Sequence, residues 1–384
     1  MAERVLIAPD KFKGSLSAGE VADRVACGLA RAGFAGDAVR LPVADGGDGT
    51  VDAAVTAGYQ RIVAGVSGPV GRPVAAAFGL LDGTAVIEAA QACGLSRLGA
   101  GSLAPLTASS FGVGELILAA IGIGATRIVL GLGGVATTDG GAGLVQALGA
   151  RLADGRGREL APGGAALARL AALDLSRMSD LSGVEFLVAS DVDNPLLGPS
   201  GAAAVYAPQK GASAADVKLL EAGLARWADV AEAAEAAEAA CGRGGNAARD
   251  APGAGAAGGL GFAALLFLRA RLRPGIALLL DMLSFGRQLD GARLVITGEG
   301  ALDAQTLRGK APVGVARAAA AHDPPVPAVA VAGVCTLSAA QLAAAGIAAA
   351  YPLTAIEPDA GRSMANAGPL VERLAEHIAA DWLR

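Results

Sequence analysis

The chain is poor in the residues on which much enzyme chemistry is built. It has two histidines, His322 and His377, four cysteines, Cys27, Cys93, Cys241 and Cys335, and only 3% aromatic residues. The cysteines stand singly, without the C-x-x-C spacing of a zinc site or a dithiol, so four free thiols are expected. Both histidines fall in Ala-rich stretches near the C-terminus that read as solvated helix, which leaves acid and base work to Asp, Glu or Lys. Basic residues are not in excess either. The formal charge is −5 and the pI near 5.2, which argues against nucleic acid as the main partner.

Long apolar runs are missing as well. Each apolar stretch is interrupted before the roughly 20 residues that a spanning helix needs: Glu115 and Arg127 flank one, and Arg269, Arg271 and Arg273 close another. The opening MAERVLIAPDKFKGS reaches Asp10 and Lys11 after a short apolar run, and no small-residue cleavage site follows, so no leader is expected and the protein reads as cytoplasmic, with no membrane partner. No strand-like run is followed by G-x-G-x-x-G and an acidic residue about 20 positions on, which removes the main support for a dehydrogenase.

What is present is a chain of 384 residues, beyond the size at which one core stops growing, so two domains are expected. Its apolar content is mostly Ala, Leu and Val, which suits packed helices and parallel strands. Residues 4–8 (RVLIA) read as a strand ending at Pro9-Asp10, and an amphipathic pattern from Ser17 to Ala32 follows as helix. Similar strand-like runs recur at 85–87, 127–131, 185–189, 293–297 and 326–332, most followed by polar or Gly-rich loops and Ala-rich helix. Alternation of this kind predicts an α/β fold, a mainly parallel sheet with helices on both faces. The AEAAEAAEAA segment at 231–240 reads as solvated helix. The stretch 241–261 is Gly-rich and reads as a long loop near the site.

In parallel sheets ligands collect beyond the carboxyl ends of strands, so the loops there hold the candidate chemistry. The first carries Asp10, Lys11 and Lys13: lysines that could meet phosphate or carboxylate, and an acid for a hydroxyl or metal, or else a solvated loop with a helix cap at Ser15 or Ser17. Asp45 and Asp48 stand among Gly46, Gly47 and Gly49, a pattern that suits Mg²⁺ or a proton acceptor and equally a tight turn. The run from Gly131 to Gly143, with Gly133, Gly134, Thr137, Asp139 and Gly140, reads as strand, Gly-rich loop and helix; it lacks the G-K-[ST] ending of a Walker A loop, but backbone amides there could cradle a phosphate. Glu299 and Asp303 follow another β-like run, with Lys310 just after, a set able to hold hydrated Mg²⁺ against ATP phosphates.

Taken together and in order, these segments resemble the bacterial glycerate kinase type-1 family over essentially the whole chain. The likeness is carried by APDKFKGSLSA (8–18), PVADGGDGTVDA (42–53), SFGVGELI (110–117), GLGGVATTDGGAG (131–143), DVDNPLLGPSGA (191–202), YAPQKGA (206–212) and TGEGALDAQTLRGKAP (297–312). Departures are modest: Val135 and Thr138 stand where the family commonly has Ser and Asn, and Asp48 where Glu is common. The resemblance implies ATP-dependent phosphorylation of D-glycerate, usually at the 2-hydroxyl, and two α/β domains with the active site in the inter-domain cleft. The cofactors it implies are ATP and Mg²⁺; a homodimer is allowed but not required.

Phosphoryl transfer requires two reactants held in line and the charge on the transferring group neutralised. On this reading Asp191 or Asp10 accepts the substrate proton, Lys11, Lys13 and Lys310 hold carboxylate and phosphate oxygens, and Glu299 and Asp303 organise Mg²⁺. Asp45, Asp48 and Asn194 are substrate-binding candidates, with Arg72 and Lys210 for the glycerate carboxylate. Because loops 10–13, 45–48 and 299–310 must serve one substrate, residues 1–68 and 288–384 are expected to form one discontinuous Rossmann-like domain, with 69–287 inserted. The alternatives are a kinase for another short hydroxy acid and a catalytically silent nucleotide- or acid-sensing protein.

Overall fold

The computed structural model describes residues 3–99, 101–240 and 248–384. In chain order the strands are β1 (Arg4–Pro9), β2 (Asp37–Arg40), β3 (Gln60–Ser67), β4 (Pro73–Leu81), β5 (Thr84–Glu88), β6 (Arg127–Gly131) and β7 (Arg151–Asp154). They continue with β8 (Leu170–Asp174), β9 (Glu185–Ala189), β10 (Arg271–Arg273), β11 (Ala292–Leu302), β12 (Ala328–Cys335) and β13 (Ile347–Pro352). The chain divides into two compact units, one of Met1–Asp45, Asp52–Gly58 and Pro274–Arg384, the other of Gly46–Val51 and Tyr59–Arg273. Among the described residues no helix is long and apolar enough to cross a membrane.

The first unit is built on a five-stranded sheet in the order β13-β12-β11-β1-β2, parallel throughout. Alternation along β1 explains why both faces need cover. Val5 and Ile7 face one core, with Val21, Val25 and Leu29 of the helix Ala18–Arg31 and Val371, Leu374 and Ile378 of the helix Ala367–Trp382. Leu6 and Ala8 face the other, with Ile276 and Leu279 of Gly275–Met282 and Val315 and Ala319 of Ala311–Ala320. A strand buried on both sides reads as continuous apolar sequence, as RVLIA does. Ser17 starts the first helix through a full capping box with Glu20, which relieves two of its unpaired N–H groups.

Chain order reverses within this sheet. From β1 the chain steps to β2 at one edge, whereas β11, β12 and β13 step outward to the other. The reversal falls between β1 and β11, and such a switch point opens a crevice at the strands' carboxyl ends.

The second unit holds a six-stranded sheet, order β10-β9-β6-β5-β4-β3, and a separate antiparallel pair β7-β8. β5, β6, β9 and β10 run parallel, while β3 and β4 form an antiparallel hairpin at one edge. Its core gathers around Trp227, Phe78 and Phe262, with the Trp227 ring stacked on Phe267 at 5.7 Å.

Several expectations move. The borders at 68/69 and 287/288 shift because Gln60–Ser67 is hydrogen-bonded into the six-stranded sheet, and Ile276, Leu279 and Leu283 lie in the core beneath the five-stranded one. Glu299 was expected in a loop, but β11 runs on to Leu302, since Glu299, Ala301 and Leu302 keep partners in β12. Of the expected Gly-rich loop, 241–247 and hence Cys241 lie outside the described residues. Its end is not loop: Ala256–Phe267 is helix, kinked where Ala257, Gly258 and Gly259 turn left-handed. The 231–240 segment is the end of a long helix, Ala214–Ala240, with Ala231 buried rather than solvated. His322 sits in a bend after a helix rather than within one.

Candidate active site

The charged groups of the first unit converge on the switch point. The Asp10 N–H donates to Gly298 O at 2.8 Å, continuing the β1–β11 pairing by one residue, and Val43 N–H donates to Pro9 O at 2.9 Å. This leads the chain past the end of β1 to Asp45. Phe12, 2% exposed, bonds across the following turn to Leu16 and anchors the loop. Gly300 approaches the Lys13 backbone so closely that a Cβ would stand 3.3 Å from its nitrogen. Asp10, Asp45 and Glu299 are thereby gathered at the carboxyl edge of three adjacent strands.

Burial dominates the electrostatics. Asp10 is 7% exposed, and its pKa is pushed up to about 6 chiefly by desolvation; Asp45 adds to the rise and Lys11 opposes it. The Lys11 ammonium is 3.6 Å from Asp10 Oδ1, and the Lys11 amide donates to the same oxygen at 2.7 Å. Glu299, 8% exposed, is pushed up to about 7, again by desolvation first, with Thr306 and Lys310 opposing and Asp10 and Asp303 adding. The buried Thr306 hydroxyl donates to Glu299 Oε1, and Lys310 Nζ is 3.9 Å from Oε2. Asp303 Oδ1 accepts the amides of Gln305 and Thr306 at 2.7 and 3.3 Å. Lys13 is exposed.

Two carboxylates raised toward neutrality beside lysines are the state expected of acids that await a cation or a proton in function. Among the described residues no group of three or more His, Cys, Asp and Glu is arranged to hold a metal ion. Mg²⁺ does not need such a cage, only one or two carboxylates, with waters and phosphate completing its shell. The all-oxygen donors of Asp10 and Glu299, two buried acids near one another, fit it.

The second unit uses its glycine-rich loop differently from the expectation. Asp139, 1% exposed, places its own carboxylate on the amides that a phosphate would use: Oδ1 accepts Gly141 N–H at 3.2 Å, and Oδ2 accepts Gly143 N–H at 3.3 Å and the Ser110 amide and hydroxyl at 2.8 and 2.9 Å. The cradle is occupied by the chain itself. Gly133 and Gly134 serve close packing: a Cβ would meet the Gly47 Cα at 2.5 Å and Asp48 Oδ1 at 2.6 Å respectively. Gly140 lies against the Trp227 indole, whose N–H donates to its carbonyl at 2.9 Å. Thr137 is fully buried.

Lys210 is not presented to a substrate carboxylate. It is 3% exposed, donates to the Thr137 carbonyl, and desolvation lowers its pKa to about 8. Asn194 is also committed, its amide donating to Ser200 O at 2.7 Å and accepting from the Tyr206 hydroxyl at 2.6 Å. Asp191 is exposed in the loop after β9, and Asp48 and Arg72 are exposed too, Arg72 at the β3–β4 turn, where its carbonyl accepts Gly68 N–H at 2.7 Å. Cys27, Cys93 and Cys335 are free thiols, and burial pushes Cys93 up to about 12. His322 pairs at the surface with Asp290 at 3.4 Å.

Two groups escaped the reading of the sequence. Thr306 and Glu88 are buried polar residues; Glu88 ends β5 and accepts Val51 N–H at 2.5 Å, holding the turn that carries Asp48. The signal for Glu88 was an acid closing the apolar run TAVI just before a helix. A lone threonine offered none.

With this geometry in place, comparison with known proteins is specific. The Glycerate kinase family profile matches residues 5–383. A glycerate kinase of Bacillus subtilis (strain 168) is 45% identical, covering 98% of this chain and 97% of its own length. A glycerate 2-kinase of Escherichia coli (strain K12) is 42% identical over 84% of each. A crystal structure assigned as glycerate kinase 2 from Salmonella typhimurium LT2 superposes with a TM-score of 0.83 at 40% identity, covering 99% of this chain and 98% of that one.

Proposed function

The chain belongs to the glycerate kinase family, and on that premise we propose that it transfers the γ-phosphoryl group of Mg²⁺·ATP to the 2-hydroxyl of D-glycerate, giving 2-phosphoglycerate and ADP. Membership makes it an enzyme, a phosphotransferase with an alcohol acceptor. The observation that carries the finer reading is the pair of carboxylates, Asp10 at about 6 and Glu299 at about 7, flanking the β1–β11 switch point beside Lys11 and Lys310.

In the transfer the substrate hydroxyl oxygen forms the new bond to the γ-phosphorus, the bond from that phosphorus to the β–γ bridging oxygen breaks, and the hydroxyl proton passes to a carboxylate. Asp10 is the better acceptor, because burial brings its pKa to within reach of neutrality, where a general base works best; Asp191, exposed in the second unit, is the alternative. Glu299, with Asp303 as the second candidate, would hold Mg²⁺, which supplies charge neutralisation on the phosphates. Lys11, Lys13 and Lys310 supply counter-charge to phosphate and carboxylate oxygens. Arg72, Asp45 and Asp48 stay as substrate contacts in this proposal, whereas Lys210, Asn194 and Asp139 are spent on internal hydrogen bonds and act as scaffold.

A coupled assay with D-glycerate and ATP, its product identified by phosphorus NMR, tests the proposal. Formation of 2-phosphoglycerate is expected. Formation of the 3-phosphate would overturn the regiochemistry, and turnover of a four-carbon aldonate in preference to glycerate would overturn the substrate.

A further inference from the structure

Thr306 is fully buried at the start of the 3-10 helix Thr306–Arg308, and its hydroxyl has one proton to give and two lone pairs to fill. The Asp303 N–H donates to that oxygen at 3.1 Å. With one lone pair so occupied, the proton has two acceptors, Glu299 Oε1 and, at 3.2 Å, the Ala301 carbonyl. Asp303 Oδ1 closes the arrangement by accepting the Gln305 and Thr306 amides, so backbone and side chain of Asp303 clamp Thr306 reciprocally. Gly309, at φ 103°, then returns the chain so that Lys310 stands at the N-cap position of the next helix with its ammonium 3.9 Å from the other oxygen of Glu299. Each Glu299 oxygen thus has its own tether, and both tethers come from one short segment, 303–310.

We infer that Thr306 and Asp303 are positioning residues that aim the Glu299 carboxylate, and that this aim sets the affinity of the chain for the magnesium-nucleotide pair. The inference rests on the reading that Glu299 faces Mg²⁺·ATP. A threonine that served packing alone would be replaced without loss by valine, which has nearly the same shape and no hydroxyl. A threonine that orients a carboxylate is replaced without loss only by serine. Asp303 Oδ1 is already taken by two amides, so in this account Asp303 acts through the turn it clamps in place of the direct Mg²⁺ contact considered above, and its loss and the loss of the Thr306 hydroxyl damage the same thing.

The test uses the full chain and isothermal titration calorimetry with Mg²⁺ and the non-hydrolysable nucleotide AMP-PNP, alongside the KM for Mg²⁺·ATP and kcat. Thr306→Val should weaken Mg²⁺·AMP-PNP binding by about 10-fold or more, the size seen when a residue orienting a metal ligand is removed, while Thr306→Ser stays within about threefold of the parent. Asp303→Ala should reproduce the valine effect, and the double variant should be no weaker than the poorer single, because coupled groups are not additive. Binding by Thr306→Val within about threefold of the parent would overturn the inference, as would additive losses in the double variant. If Thr306→Val fails to fold, serine rescue and the Asp303→Ala comparison still decide. If the parent chain itself binds no Mg²⁺·AMP-PNP, the reading of Glu299 falls first and the inference with it.

Discussion

Asp10 and Glu299 carry a desolvation cost that the proposed function accounts for. A carboxylic acid whose folded-state pKa is raised binds its proton more tightly in the folded chain, so it favours folding fully below its ordinary pKa and loses that contribution as pH rises through the raised value. For Glu299 the window runs from 4.5 to about 7. Glu299→Gln removes the buried charge and keeps an oxygen for Thr306; it should raise the thermal midpoint at pH 8 by a few degrees while lowering activity, a stability gain at the expense of the site. An unchanged or lower midpoint at pH 8 would show that the charge is not a burden. With Asp10 as the proposed base, the same burial means that kcat/KM should climb through about pH 6 and level off above it. Asp10→Asn should cost roughly 10²–10⁴-fold, the range of a lost general base. Should Asp191→Asn be the variant that loses this much while Asp10→Asn stays active, the base lies in the second unit. The histidines are outside this chemistry: His322 pairs with Asp290, and His377 rides a C-terminal helix. Replacing both by Gln should leave kcat within about threefold, under ~1 kcal/mol of barrier.

At the scale of elements, the glycine-rich segment 131–143 is held by packing from several sides. Gly131 and Gly133 lie against the backbone of Gly46 and Gly47, Trp227 bonds Gly140, and Lys210 bonds Thr137. Gly133→Ala would drive a methyl group into backbone that cannot move as a side-chain tip can, and overpacking of this kind costs typically ~1–3 kcal/mol. A urea titration should show that loss; a change within about 0.5 kcal/mol would mean the 46–48 turn gives way freely. The first helix offers a smaller control. Ser17→Ala removes its capping box and should cost about 1 kcal/mol without touching kcat, although the helix follows directly on the loop of Asp10, Lys11 and Lys13.

At the scale of the whole molecule, the proposed reaction requires a hard cation for turnover. Turnover should vanish with EDTA and return with Mg²⁺ or Mn²⁺, while a zinc-selective chelator should have no specific effect, since the described cysteines are single free thiols. Stoichiometric zinc that is needed for turnover would contradict the site. Alternation of apolar runs with charged loops determined the α/β class, the places of β1, β6 and β9, the Ser17 start of the first helix, and, through the order of the charged motifs, the family; those signals are local, carried by period and by adjacency along the chain. Tertiary structure alone decided the rest. The edge strand β3 and the pair β7-β8 are partly exposed, and β4 is rich in small residues, so none stands out in the sequence as a strand, and pairing across space makes them strands. Asp139 and Lys210 read as ligand groups because charge near glycine is ambiguous in one dimension; folding buried both and gave them the chain's own amides and carbonyl. Thr306 had no signal at all, and it became a partner of Glu299 only when β11 ran on to Leu302 and the turn after it brought a hydroxyl back to the strand.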